Sequence, residues 1–254
     1  ARTETYLSHG GFPEVQGVYD FDRIQILQDY VELVVLKDVV ERHGVTNLTA
    51  LRHLVRALFA ANANEFSIHR LHGALRSQGV KVGKQTLLNY LEHLTDAYLC
   101  FLVSLRSRSE KQRLVNPRKV YAVDPGLAAA MTTAGATNTG ALLENAVYLE
   151  LRRQYGRLAD KAISYHRTPS GFEVDFVVDA IGQQAPPKLV QVCATLEAPA
   201  TTKREVRALE EAMEELNVDT ATIVTLHEED HIQTSSGTIT VHPLWRWAHE
   251  TERP

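Results

Sequence analysis

The chain has 254 residues, 44% hydrophobic and 23% charged, with a net charge of -4. That balance is ordinary for a globular protein in water, and the length allows one large domain or two smaller ones at about 150 residues each. No run approaches the roughly 18 apolar residues of a membrane helix, no leader resembles a signal peptide, and the two cysteines, Cys100 and Cys193, are too far apart for a metal framework. A cytoplasmic protein with no membrane partner is expected. The opening ARTETY reads as mid-protein, so a piece of something longer is expected too.

Charge is distributed unevenly. Residues 1–44 carry four basic and eight acidic side chains, residues 45–120 carry twelve and four, and residues 121–254 carry eleven and nineteen. A local +8 inside an acidic chain marks a face for a polyanion or for an acidic neighbour.

Within the basic segment, GVKVGKQT (79–86) superficially resembles a phosphate loop. Three residues rather than four separate its first Gly from Gly-Lys, Gln85 replaces the hydroxyl, and no strand precedes it. On its N-terminal side lies a helical pattern, Ile68, Leu71 and Leu75 after an N-cap at Ser67. On its C-terminal side lies a second, with Leu87, Leu91, Leu94 and Tyr98 on one face. The stretch is therefore a helix-turn-helix turn. Strand-like residues 98–105, a basic tip at 106–113 and a strand at 119–124 complete a winged helix. Read as a DNA-binding element, it would turn Lys84, Gln85 and Asn89 to a groove and Arg106, Arg108, Lys111 and Arg113 to phosphates. Read as a packing element, it would leave the same charges solvated, and Glu92 and Asp96 would oppose a nucleic-acid backbone. Both readings stand.

From about residue 138 the pattern becomes helix (138–156), strands at 161–168, 172–179 and 188–196, an amphipathic helix at 201–217 with Val206, Leu209, Met213 and Leu216 inward, then strands at 219–226 and 237–243. Three strands in a meander followed by a helical crossover give a mixed sheet flanked by helices. The fold class expected is α/β.

This order resembles the restriction-endonuclease-like PD-(D/E)XK nuclease superfamily. The resemblance implies Glu144 on the helix, Asp175 with Glu173 on the second strand, and Gln191 on the third as the catalytic positions. The Lys position falls on Cys193. It also implies Asp175, Glu144 and Glu173 as ligands of a divalent ion such as Mg²⁺. With Gln and Cys where an acid and a Lys belong, the expectation is a degenerate, non-cleaving domain whose acids bond Arg167, Arg204 or helix ends. An active Mg²⁺-dependent nuclease is the alternative.

More widely, YLSHGGFPEV (6–15), LVVLKDVVERH (33–43), KQTLLNYLEHLTDAYL (84–99), RKVYAVDPGL (118–127), LLENAVYLEL (142–151), GFEVDFVV (171–178), LVQVCATL (189–196) and KREVRALEEAM (203–213) together resemble the C-terminal portion of a family of prokaryotic AAA-type P-loop ATPases. The resemblance implies that 1–44 is a helical remnant of the ATPase lid or linker, 45–130 a winged helix and 131–254 a restriction-endonuclease-like domain. It implies an ATPase domain of the same full-length protein as partner; the +8 segment makes DNA or a partner protein the expected ligand, and a homo-oligomer is allowed. A purely structural interaction domain is the remaining alternative.

Other motifs carry less. His227-Glu-Glu-Asp-His231 matches HExxH, but it comes directly after a strand and leads into a hairpin-like connection, whereas the zinc chemistry needs a helix. His69 and His72 read as surface or groove residues. Cys193 reads as a small buried hydrophobe, and PLWRWAHE (243–250) as a terminal cap with Trp245 packed on the sheet.

Overall fold

The computed structural model describes residues 2–107, 109, 116–132, 138–182 and 185–250. The chain divides into two compact units, one formed by 5–102 and 117–138, the other by 1–4, 103–116 and 139–254. Arg108, Lys111 and Arg113 lie outside the described residues.

The first unit is mainly helical. Helix α1 (Arg2–His9) ends at Gly10, whose φ of 80° turns the chain under Asp124. Gly11 N donates to Asp124 Oδ2 at 2.7 Å, and Asp124 Oδ1 accepts from Leu127 N at 3.1 Å. One carboxylate thus holds the Gly-Gly loop and caps a later helix. Helix α2 (Asp20–Val34) continues as a π-helical stretch, Val35–Glu41, and turns Arg23, Leu27 and Val31 inward. Helix α3 (Leu48–Ala60) is capped by Asn47, whose side chain accepts from Ala50 N at 3.0 Å.

After the short strand β1 (Glu65–Phe66) comes α4 (Ile68–Ser77), capped by Ser67 through Arg70 N, as the sequence predicts. Gly79, with φ of 79°, opens the turn, and His72 Nε2 donates across it to the Val82 carbonyl at 3.1 Å. Helix α5 (Lys84–Asp96) comes next, burying Leu87, Tyr90, Leu91 and Leu94. Tyr98 departs from expectation: it lies beyond the helix end at φ 55° and is 63% exposed. The left-handed residue that swings the chain into the next strand also swings its ring outward. Strand β3 (Arg118–Ala122) lies between β1 and β2 (Cys100–Val103) in a three-stranded sheet. Helix α6 (Pro125–Met131) is the one capped by Asp124.

The second unit is built on a six-stranded mixed sheet flanked by helices. Helix α7 (Thr139–Tyr155) and a short α8 (Ala159–Ala162) lead into an antiparallel meander of β4 (Ile163–Arg167), β5 (Glu173–Val178) and β6 (Lys188–Val192). Helix α9 (Pro199–Leu216) crosses to β7 (Thr220–Thr225), parallel to β6. A hairpin of β8 (Asp230–Gln233) and β9 (Thr238–Pro243) completes the order β4-β5-β6-β7-β9-β8. Strand β8 is an addition to the predicted order; DHIQ offers a single apolar residue, too little for a period-two signal.

Alternation along β5 decides what faces which helix. Phe176 turns to α7, where its ring lies 6.2 Å from Tyr148. Val177, Leu189 and Cys193 join Leu209, Ala212 and Met213 of α9 in one apolar core. Helix α10 (Leu244–Glu250) closes the unit with Leu244 and Trp247 inward. Trp245 is the exposed tryptophan, 56% accessible, so the cap packs through the other ring. Helical spacing from Leu244 explains the reversal, since i+3 is Trp247. No described helix is long and apolar enough to cross a membrane.

Candidate functional site

Strands β5 and β6 pair with Phe176 opposite Val190, so one step further Asp175 stands opposite Gln191 on the face turned to α9. Their contacts interlock. Gln191 Oε1 accepts from Asp175 N at 3.2 Å, while Asp175 Oδ2 accepts from Val192 N at 2.9 Å. Gln191 Nε2 donates to Glu205 Oε2 at 2.7 Å. Because one end of the amide meets an N–H and the other a carboxylate, only one orientation of the Gln satisfies both. Asp175, Gln191 and Glu205 are 7%, 5% and 4% exposed.

Glu205 is the residue the sequence reading missed. It sits in the first turns of α9, and its other carboxylate oxygen accepts from Arg204 Nε at 3.0 Å and from Arg204 Nη2. The hydrogen bond and the charge of Glu205 raise the Arg204 pKa. A carboxylate this buried needs such partners, because desolvating an unpaired charge costs several kcal/mol on an order-of-magnitude scale. A signal was present: 205, 209 and 213 share one helical stripe with Leu209 and Met213, and a Glu on a buried stripe is rarely idle.

Cys193 lies two residues beyond Gln191, buried, its thiol donating to the Thr195 carbonyl at 3.0 Å. Burial, then the charge of Glu205, pushes its pKa up, which keeps it a poorly nucleophilic thiol near neutrality. Glu173 faces Arg167 in a 3.3 Å ion pair. Glu144 is half-buried on α7, the helix that covers the Phe176 face of the sheet rather than the Asp175 face.

A divalent ion is a poor match to these groups. The Gln191 oxygen is turned to a backbone amide and Asp175 Oδ2 holds another. Among the described residues no group of three His, Cys, Asp or Glu is disposed to hold a metal ion. His227 lies in the loop after β7 and His231 on β8, so the HExxH match has no shared helical face.

In the first unit, Lys84, Gln85 and Asn89 are carried on α5, and Gln85 Nε2 donates to Asn89 Oδ1 at 3.0 Å on the exposed side. Glu92 and Asp96 lie further along the same helix. Arg106, in the second unit, is held by Asp179 at 2.7 Å, and its backbone N donates to the Tyr165 carbonyl.

Residues 139–247 match a domain of unknown function, DUF4143. An uncharacterized protein of Methanocaldococcus jannaschii is 31% identical over 250 residues, covering 96% of this chain and 54% of its own length. An uncharacterized protein of Haemophilus influenzae is 28% identical over 165 residues, covering 63% of this chain and 41% of its own length. The chain therefore spans about half the length of the curated relatives it matches. A half-complex of Thermococcus gammatolerans McrB AAA+ hexamers with bound McrC aligns with 75% of this chain and 46% of that chain, at 13% identity and a TM-score of 0.31, too low to argue fold or function. Residues 1–138 match the domain of unknown function DUF8612, and with more than half its length in that match the chain belongs to the DUF8612 family.

Proposed function

We propose that this chain is the C-terminal part of a prokaryotic AAA-type ATPase and serves it as a non-cleaving binding module for DNA or a partner protein. In this reading the first unit is a winged helix and the second a degenerate PD-(D/E)XK fold. The observation that carries it is the closed chain Asp175–Gln191–Glu205–Arg204, with the Cys193 thiol where a nuclease of that superfamily has its Lys. The Gln191 amide, Asp175 Oδ2, the Glu205 carboxylate and the Cys193 thiol are each committed to a neighbour, and Glu173 is paired with Arg167. DUF4143 occurs in AAA-ATPase-associated proteins, which supports the ATPase context. For DNA, Lys84, Gln85 and Asn89 on the exposed side of α5 supply the groove-facing chemistry.

The test is fluorescence anisotropy with duplex DNA across a salt series, run beside a plasmid-nicking assay in Mg²⁺ and in Mn²⁺. The expected result is affinity that falls steeply with salt and no nicking. Lys84→Ala should lower the slope of log K against log salt by about 1. Nicking that Asp175→Ala abolishes would overturn the non-cleaving reading. Binding absent at every salt concentration would remove DNA and leave the partner protein.

A further inference from the structure

Helix α2 is apolar over more of its circumference than one buried stripe requires. Leu27 and Val31 turn inward, yet Ile24, Ile26, Tyr30 and Leu33 stay exposed, as do Tyr19 and Phe21 before them. Eight of the twelve exposed large hydrophobic side chains among the described residues fall between 19 and 48. A helix apolar on several sides is one that is buried on several sides, and exposed apolar side chains gathered on one segment mark a docking surface.

The patch borders a cleft of about 450 Å³ between two walls. One wall carries Asp29, Glu32, Leu33 and Leu36, the other Leu48, Arg52, Val55 and Arg56, with Val31 and Leu51 at its base. Asp29 and Glu32 rim one side and Arg52 and Arg56 the other. None of the four side chains is in a hydrogen bond or ion pair among the described residues.

We infer that this cleft seats an amphipathic helix from the ATPase-bearing remainder of the full-length protein, an inference that rests on the ATPase reading above. An apolar trough between two helices with oppositely charged rims fits a helix with an apolar stripe, a basic edge toward Asp29 and Glu32, and an acidic edge toward Arg52 and Arg56. Helix α2 of a second copy fits only half of it. Its exposed charges are Asp20, Asp22, Asp29 and Glu32, which suit the arginines and repel the acidic rim. The M. jannaschii relative has nearly half of its length outside the match, ample chain to supply such a helix.

The probe is that unmatched remainder of the relative, expressed as a separate chain and titrated against this chain by anisotropy. Wild type should bind it. Leu33→Arg and the pair Arg52→Glu/Arg56→Glu should each weaken binding about tenfold or more, with melting curves unchanged because all three side chains are exposed. No binding by wild type, or equal binding by the variants, overturns the inference. So does a concentration-dependent dimer, seen by sedimentation, that Leu33→Arg breaks. The DNA assay on the same samples separates the two proposals: salt-sensitive DNA binding with no docking sinks only the docking. Docking without DNA binding, or with nicking, removes the DNA-binding or the non-cleaving reading and leaves the cleft assignment standing.

Discussion

Replacing Gln191 with Leu removes the hinge of the buried network while keeping volume and hydrophobicity close. Two partners lose their bond. Glu205 Oε2 gives up a 2.7 Å charge-assisted hydrogen bond, worth about 1.5–3 kcal/mol, and the Asp175 amide is left unsatisfied at a cost of about 1–3 kcal/mol. The added apolar contact of Leu offsets about 1 kcal/mol, leaving a net loss of about 3 kcal/mol. The protein reports this selectively, because both tryptophans, Trp245 and Trp247, lie in α10 of the same unit. Urea unfolding monitored by tryptophan emission therefore reads that unit alone, free of the non-coincident transitions two units produce. At an m-value of about 2 kcal/mol/M the midpoint should fall by about 1.5 M. The double variant Gln191→Leu/Glu205→Leu should recover part of the loss, since no carboxylate is then stranded. A midpoint shift below about 0.3 M for the single variant, or a double variant worse than the sum of the singles, would refute the reasoning.

At Gly10→Ala, the new Cβ would fall 2.0 Å from Asp124 Oδ1 on a backbone at φ 80°. A loss of about 3 kcal/mol or more, read as a lowered urea midpoint by circular dichroism at 222 nm, is expected for that unit. His93 lies stacked on His43, ring centroids 3.7 Å apart, and burial, then the charge of His43, lowers its pKa below the ordinary 6.5, against the opposing pull of Glu92 and Asp96. A depressed folded pKa means the contribution is present above about 6.5 and is lost as pH falls through the folded value. The 222 nm urea midpoint should drop on acidification, and His43→Ala should flatten that dependence. Finally, Trp247→Ala should destabilise its unit by about 3 kcal/mol, whereas Trp245→Ala should change stability by no more than about 0.5 kcal/mol. Thermal melting of the two variants side by side checks it.

What sequence reasoning reached depended on how local the signal was. The turn at Gly79 and the cap at Ser67 were readable because each is fixed by a few neighbouring residues. The meander and crossover were readable from three apolar runs and an intervening amphipathic helix. The tyrosine and tryptophan reversals arose where the chain leaves a helix or enters one: a single left-handed residue at 98, and the phase of α10 set by Leu244, decide which ring is buried. Asp175 and Gln191 were named from the nuclease resemblance, and strand pairing sets them opposite each other. Glu205 was not, although it shares the buried stripe of Leu209 and Met213, because its partner Gln191 lies fourteen residues away and only the fold brings the two together.

That missed residue bears most on the chemistry. An acid at position 191 would face Glu205 at the distance the Gln amide now spans, and two carboxylates so close cannot both stay ionised in a buried setting. A Lys at 193 would leave the apolar core that Cys193 shares with Leu209 and Met213 and set its ammonium near Glu205, whose charge already acts on the thiol, in competition with Arg204. The Gln, the Cys and the Glu are thus mutually adjusted. On the degenerate-nuclease reading proposed above, the double substitution Gln191→Glu/Cys193→Lys without a change at 205 is expected to give a destabilised chain that leaves plasmid DNA un-nicked in Mg²⁺, and nicking by it would refute the argument.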